Sequence, residues 1–344
     1  MHYERLGRSG LDISRLCLGT MMFGGRTDAR AAIEIIAEAS AAGVNFIDTA
    51  DVYNDGRAEE LVGEAVRGRR IDWIVATKAG NPMSADRNHR GLGRRWLTWA
   101  CEASLQRLKT DWIDLFYLHL EDHATPLEET LFAVDSLIRS GKIRHFGVSN
   151  FRAWRIAEVC RLCDHIGMPR PIAVQPYYNA LNRMPEVEVL PAAAYYGMGA
   201  VAYSPLARGV LTGKYQPDGT LPAGSRAETG DRRIMETEFR PQSLAITATL
   251  DAHARARGFS VADFALAWLL ANRLVTAVLA GPRTLDQWTA YLRGFDYPFD
   301  AEDERLLDSL VPSGHPSTPG YTDPRYPIEG RMLRAQGTRQ TNAP

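Results

Sequence analysis

The sequence predicts an α/β fold, a (β/α)8 barrel of the TIM type, and three observations point to it. Eight short apolar, β-rich runs alternate with helical patterns nearly to the C-terminus, the count a closed barrel requires. Several of these runs lack apolar/polar alternation, as parallel strands covered on both faces do. With 344 residues and 45% hydrophobic content, the chain can bury a large core without disulfides or metals, and barrels of this length form one unit. The expectation is a single barrel domain over residues 1–344, with a C-terminal extension from about residue 312.

The elements follow in order. Residues 3–6 and 11–13, joined through Gly7 and Gly10, read as a hairpin ahead of the barrel that can plug its floor. The eight candidate strands are residues 16–18, 45–48, 73–77, 113–118, 145–148, 172–175, 200–203 and 276–279. Asp28 is placed to cap a helix over residues 29–42 that stops at Gly43, with Ile33, Ile36, Ala37 and Ser40 on one face. Thr125-Pro126-Leu127-Glu128 has capping-box spacing with proline at the first helical position. Gly141 and Gly167 mark further helix ends. Arg94, Arg95 and Arg107 belong to a helix and read as solvent-facing ion pairs. Residues 213–240 form a long Gly-, Pro- and charge-rich stretch that interrupts the repeat, as lids and binding loops do. From Pro312 onward a surface-hugging extension is expected, fraying after about Arg331.

Composition excludes several function classes. The formal net charge is −1, from 40 basic and 41 acidic side chains, so nothing electrostatic suggests nucleic acid or an anionic membrane. No stretch approaches the roughly 20 apolar residues of a membrane span. The first residues, Met1-His2-Tyr3-Glu4-Arg5, lack a signal-peptide layout, and four cysteines make no disulfide framework, so a cytoplasmic location is expected. Cys160 and Cys163 form a Cys-x-x-Cys, but on an amphipathic helix with no second pair they read as packing. His119 and His123 stand four apart, yet the first ends a strand rather than lying on a helix. No metal is expected.

Barrel enzymes place their chemistry where strands end and βα-loops begin. Here those positions are polar throughout. Asp48 ends the second strand, with Tyr53 shortly after; Lys78 ends the third and His119 the fourth. Ser149 and Asn150 end the fifth, Gln175 the sixth, and Tyr203 and Ser204 the seventh. Four of these make chemical sense together. A tyrosine hydroxyl, with a pKa near 10, exchanges protons poorly at neutral pH. A nearby ammonium, Lys78, stabilises the phenolate and lowers that value. Asp48 would hold the lysine charged and in place, and His119 would orient a carbonyl oxygen or help relay its proton.

The segments around these residues resemble the signatures of aldo-keto reductases. They are Asn45-Phe-Ile-Asp48-Thr-Ala-Asp-Val-Tyr53, Ala76-Thr-Lys78, Ser104-Leu-Gln-Arg107-Leu with Asp114-Leu-Phe-Tyr-Leu-His119, and Gly147-Val-Ser-Asn150. Tyr203-Ser-Pro-Leu-Ala-Arg-Gly-Val-Leu-Thr-Gly-Lys214-Tyr resembles the branch that includes bacterial reductases and potassium-channel β-subunits. The matches run in order from Gly19 to about Gln287. The resemblance implies Tyr53 as acid/base, supported by Asp48, Lys78 and His119, in NADP(H)-dependent reduction of aldehydes or ketones. It implies further that Ser149, Asn150 and Gln175 hold the nicotinamide amide and that Tyr203 stacks on the ring. Gly19, Thr20 and Met21, with Asp48, would border the ribose and nicotinamide; Ser204, Leu206, Arg208 and Lys214 would surround the pyrophosphate. Gly281 and Arg283, opening a helix, resemble the 2′-phosphate site, which Gln287 also fits. Residues 213–240 would cover the cofactor. Where the family often has Glu-Asn to contact adenine, this chain has Ala290 and Tyr291.

Met22, Phe23, Asn54, Asn81, Tyr177 and Tyr178 follow strand ends and are candidates to line a substrate pocket. With no arginine cluster marking an acidic substrate, that pocket is expected to be apolar to mixed. The partner is then a small carbonyl or alcohol, and a homo-oligomer is compatible with the sequence. Two other readings share the same residues: a regulatory subunit that keeps the cofactor but turns over slowly, and a barrel lyase or hydrolase without nicotinamide. The first predicts co-purifying NADP with little turnover, the second no dinucleotide binding.

Overall fold

A computed structural model describes residues 1–216 and 220–327. Two short antiparallel strands, β1 (Tyr3–Arg5) and β2 (Asp12–Ser14), open the chain. Eight parallel strands then close into a barrel: β3 (Leu16–Gly19), β4 (Phe46–Asp48), β5 (Ile74–Ala79), β6 (Ile113–Leu118), β7 (Ile143–Ser149), β8 (Ala173–Gln175), β9 (Gly199–Ala202) and β10 (Ala277–Ala280). Closure comes from β10 against β3, with Val278 opposite Leu16 and Ala280 opposite Leu18. Parallel neighbours need crossovers, and these return outside the barrel. They carry α1 (Ala29–Ala41), α2 (Arg57–Ala65), α3 (Arg94–Leu108), α4 (Leu127–Arg139), α5 (Ala153–Ile166) and α6 (Val189–Tyr196). The long connection from β9 to β10 holds α7 (Arg232–Glu236), α8 (Pro241–Ala256) and α9 (Val261–Ala271); α10 (Leu285–Arg293) and α11 (Ala301–Leu310) follow β10.

The core has two parts because each strand has two buried faces. Inward-facing Cys17, Phe46, Leu115, Tyr117 and Val201 fill the barrel, and Leu6 and Ile13 of the hairpin pack with them. The hairpin therefore closes the floor, its turn tied by the Arg8 N–H donating to Gly197 O at 2.8 Å. Outward-facing strand residues meet the helices in the larger cluster. Among the described residues, no helix is long and apolar enough to cross a membrane.

Local expectations needed four corrections. In α1 Asp28 does cap, accepting from the Ala31 N–H at 2.9 Å, but the buried face is Ala32, Ile35, Ile36 and Ala39. Both stripes have helical spacing, but the one a residue earlier is wholly apolar, with Ala39 in place of Ser40, and it is the one that contacts the barrel. The capping box at Thr125 does not form. Its hydroxyl donates to Asp122 Oδ2 at 2.7 Å instead, because the preceding loop already presents a carboxylate. Arg107 does not face solvent but binds Glu59, which is buried, at 2.6 Å. The extension after residue 312 does not merely hug the surface. Ser317 is hydrogen bonded to Leu181 O and Arg240 stacks on Tyr321 at 3.7 Å, carrying residues 323–326 across the strand ends. The expected fraying after about Arg331 lies outside the described residues. Cys160 and Cys163 are buried on α5, where burial pushes their thiols up to about 11 and about 12.

Candidate active site

The C-terminal ends of the strands surround a cavity of about 860 Å³, of a size that holds a cofactor or drug-sized ligand. At its base lies a hydrogen-bonded group drawn from the adjacent strands β4 and β5 and from β8 across the barrel. Lys78 of β5 is fully buried, and its Nζ donates to Asp48 Oδ1, to Thr49 O at 2.7 Å and to Tyr53 Oη at 3.3 Å. All three of its protons are thereby committed. The second oxygen of Asp48 accepts from Gln175 Nε2 at 2.9 Å, so the carboxylate is held from both sides. Tyr53 stands in the loop after β4, and its ring meets the His119 ring edge-on with centroids 6.1 Å apart.

Electrostatics sharpen this picture and correct one expectation. Burial acts to lower the Lys78 ammonium, but Asp48 and Tyr53 outweigh it and hold the group charged. Burial pushes the Tyr53 phenol above its ordinary value, and the opposing pull of Lys78 does not overcome it. The ammonium favours the phenolate as its charge predicts, but desolvation is larger here. Burial, then the charges of Lys78 and Arg325, hold the His119 imidazole well below its usual range. It is neutral at pH 7, and its Nδ1 is buried without a partner among the described residues.

Around this group the polar strand ends are cross-linked. Ser149 Oγ donates to Gln175 O at 3.0 Å, Asn150 Nδ2 to His119 O at 2.9 Å, and Tyr203 Oη to Asn150 Oδ1 at 2.7 Å. The Thr20 hydroxyl donates to Asp48 O at 3.1 Å. A Cβ on Gly19 would lie 2.2 Å from the end of the Leu279 side chain, so a larger residue there would displace Leu279 from the cavity wall. Asn54, Asn150, Ser204 and Arg208, all lining the cavity, have φ between 48° and 58°. Non-glycine residues seldom adopt that region, and it is concentrated at functional loops.

The far end of the cavity is cationic. Arg208, Lys214, Arg226 and Arg283 line it, and none pairs with a carboxylate among the described residues. Burial, followed by neighbouring positive charge, lowers Lys214; burial also lowers Arg226, opposed by the nearby Asp231 carboxylate and reinforced by the neighbouring arginines. Such a cluster is unfavourable until an anion neutralises it. Thr284 caps α10, and the Arg283 N–H donates to Gln287 Oε1 at 2.9 Å. Gly281, Gln287, Ala290 and Tyr291 complete this end.

The cavity thus brings together Gly19, Thr20, Met21, Met22, Asp48, Tyr53, Asn54, Asn81, His119, Ser149, Asn150, Gln175, Tyr203, Ser204, Leu206, Arg208, Lys214, Gly281, Arg283 and Gln287. Lys78 stands directly behind its wall. Three substrate-pocket candidates fall elsewhere. Phe23 and Tyr178 are fully buried in the core, Tyr178 with its hydroxyl on Glu186 Oε1 at 2.7 Å. Tyr177 packs beneath Tyr203 with ring centroids 5.5 Å apart. Adjacent loop residues point in different directions, and sequence proximity to a strand end does not say which way. Sequence reasoning missed Arg226 and Arg233 of the long loop and Arg325 and Tyr326 of the extension, all of which line the cavity. The only signal for them was the charge of those segments.

A family model described as the Aldo/keto reductase family matches residues 15–312. An uncharacterized oxidoreductase, YrpG, of Bacillus subtilis is 36% identical over 330 residues, 93% of this chain and 98% of that protein. A probable voltage-gated potassium channel subunit beta of Oryza sativa is 36% identical over 302 residues, 86% of this chain and 92% of its own. Aflatoxin B1 aldehyde reductase member 2 of Homo sapiens is 36% identical over 286 residues, 78% of each chain.

Proposed function

Because the chain belongs to the aldo/keto reductase family, whose members are nicotinamide-dependent oxidoreductases of carbonyl compounds, we propose that it is an NADP(H)-dependent reductase of aldehydes or ketones, reversible as an alcohol dehydrogenase. The observation that carries this is the polarity of the cavity. Unpaired Arg208, Lys214, Arg226 and Arg283 suit the phosphates of a dinucleotide, and a buried Tyr53–Lys78–Asp48 group faces the other end. Asn150 and Gln175, with the Tyr203 ring, suit an aromatic amide, and Tyr291 offers a face to a purine where the family's Glu-Asn is missing.

A reduced nicotinamide bound there supplies hydride to the carbonyl carbon. The residues do the rest. Since Lys78 donates to Tyr53 Oη, the phenol's own proton is directed away from the ammonium, toward the cavity. Tyr53 gives that proton to the carbonyl oxygen as negative charge develops there, and Lys78 stabilises the phenolate left behind. Neutral His119 donates a hydrogen bond to the same oxygen. Asp48 keeps Lys78 charged and fixed. We place the working unit in a single barrel domain over the whole chain, in the cytoplasm, with a small molecule as partner; self-association is compatible with it.

Titration of NADPH and NADH by tryptophan quenching, with aldehydes and ketones then added, tests the assignment. We expect NADPH to bind more tightly, carbonyl-dependent oxidation to follow, and Arg283→Ala to weaken NADPH roughly 10-fold or more while changing NADH much less. Equal losses remove the 2′-phosphate role. A second reading, a cofactor-holding regulatory subunit with slow turnover, is favoured by the clasp of Arg233 on Asp323 at 2.6 Å, which closes the long loop against the extension. Tight NADPH binding with negligible oxidation of any carbonyl would select it.

A further inference from the structure

The positive charge around the cavity lies in two places. Arg208, Lys214, Arg226 and Arg283 act on one another at the far end. Arg325 stands apart from them, and its charge falls on His119 beside the tyrosine. Its Nη2 donates to Asn81 Oδ1 at 2.5 Å, and Asn81 is buried in the loop just after β5, three residues after Lys78. The guanidinium is therefore set at the carbonyl end of the cavity.

Its backbone is held as well. The Arg325 N–H donates to Asp323 Oδ1 at 2.9 Å, and Asp323 takes a two-point grip from Arg233 at 3.0 and 2.6 Å. Arg152 reaches Pro327 O at 2.6 Å on the other side. Arg233 also lines the cavity, but Glu236 and Asp323 neutralise it. Arg325 has no carboxylate partner among the described residues. Arg325 is an exposed residue whose guanidinium is held by Asn81 at the edge of the cavity, and a planar guanidinium left without a counter-charge is suited to receive a carboxylate by paired hydrogen bonds.

We propose that Arg325 is a specificity residue that selects carbonyl substrates carrying a carboxylate, such as oxo-acids and aromatic aldehyde-acids. The proposal rests on the carbonyl-reductase reading and narrows its substrate class. An apolar-to-mixed pocket was expected from the sequence because Arg325 is remote from every strand end along the chain. Only the folding of the extension brings it to the site.

The test compares 4-formylbenzoate with its methyl ester as substrates of the wild-type chain, Arg325→Met and Arg325→Lys. The wild type is expected to favour the acid, and Arg325→Met to reduce the acid-to-ester ratio of kcat/KM roughly 10- to 100-fold, the range for a charge-assisted hydrogen bond. Arg325→Lys should recover part of the ratio, and added salt should diminish the wild-type preference. An unchanged ratio in Arg325→Met overturns the proposal while leaving the reductase reading intact. If no carbonyl is reduced, that reading fails, and calorimetric binding of terephthalate, an unreactive dicarboxylate, decides the Arg325 question alone. At least ~10-fold weaker binding by Arg325→Met sustains a carboxylate site there. Equal binding overturns it.

Discussion

At the scale of single residues, the Lys78 ammonium organises the chemistry, since its three donated hydrogen bonds tie together Asp48, the Thr49 carbonyl and Tyr53. It opposes, without cancelling, the burial that raises the Tyr53 phenol. Reduction needs the phenol protonated and oxidation needs it ionised, so the two directions respond oppositely to pH. The kcat for reduction should be level across neutral pH and fall only in the alkaline range, while alcohol oxidation should climb as pH rises. Removing the ammonium in Lys78→Met raises the phenol further, so both transitions should move to higher pH, as profiles in the two directions would record. Neutral His119 should add no transition near pH 6–7. A profile for Lys78→Met superimposable on wild type would remove the lysine from this role. The identity of these residues was legible because a barrel's strand ends are specified by the strand pattern. The direction of the Tyr53 shift was not, since desolvation depends on loops whose course the sequence leaves open.

At the scale of elements, two segments without regular repeat decide how the cavity is closed. The loop between β9 and β10 contributes Lys214, Arg226 and Arg233, and the extension contributes Arg325 and Tyr326. Arg233 and Asp323 join them. Cutting the clasp with Arg233→Ala should accelerate NADPH release by about 10-fold, in line with the loss of a partly buried charge pair, as followed by stopped-flow fluorescence. An unaltered release rate would mean that loop and extension move independently. The strands and several helices could be read from periodicity and end signals. The inner stripe of α1 and the path of the extension could not, because each is chosen by contacts with remote parts of the chain. Residues 213–240 announced a binding loop by composition, yet composition could not say that Arg226 and Arg233, rather than other charges, would turn inward.

For the whole molecule, the buried carboxyls tie stability to pH. Burial, then the neighbouring Glu59 charge, pushes Asp51 up to about 8, and burial raises Glu238 to about 8 against the pull of Arg240. Unfolding returns both to the ordinary range near 4. Between those limits the folded chain binds more protons than the unfolded one, so stability falls as pH rises from about 4 to about 8. Thermal midpoints should therefore decline across that window, and less steeply in Asp51→Asn/Glu238→Gln; an equal slope would contradict the burial argument. The same barrel that buries these groups also aligns the Tyr53 hydroxyl with the cationic cradle, and that alignment is the centre of the proposed function. The most direct measurement is transfer of label from NADPH deuterated at both C4 positions to an aldehyde, read by mass spectrometry of the alcohol. This mechanism places one deuterium on the former carbonyl carbon, formed at least ~10²-fold more slowly by Tyr53→Phe while NADPH affinity changes little. Unlabelled product, or equal rates in the two proteins, would contradict it.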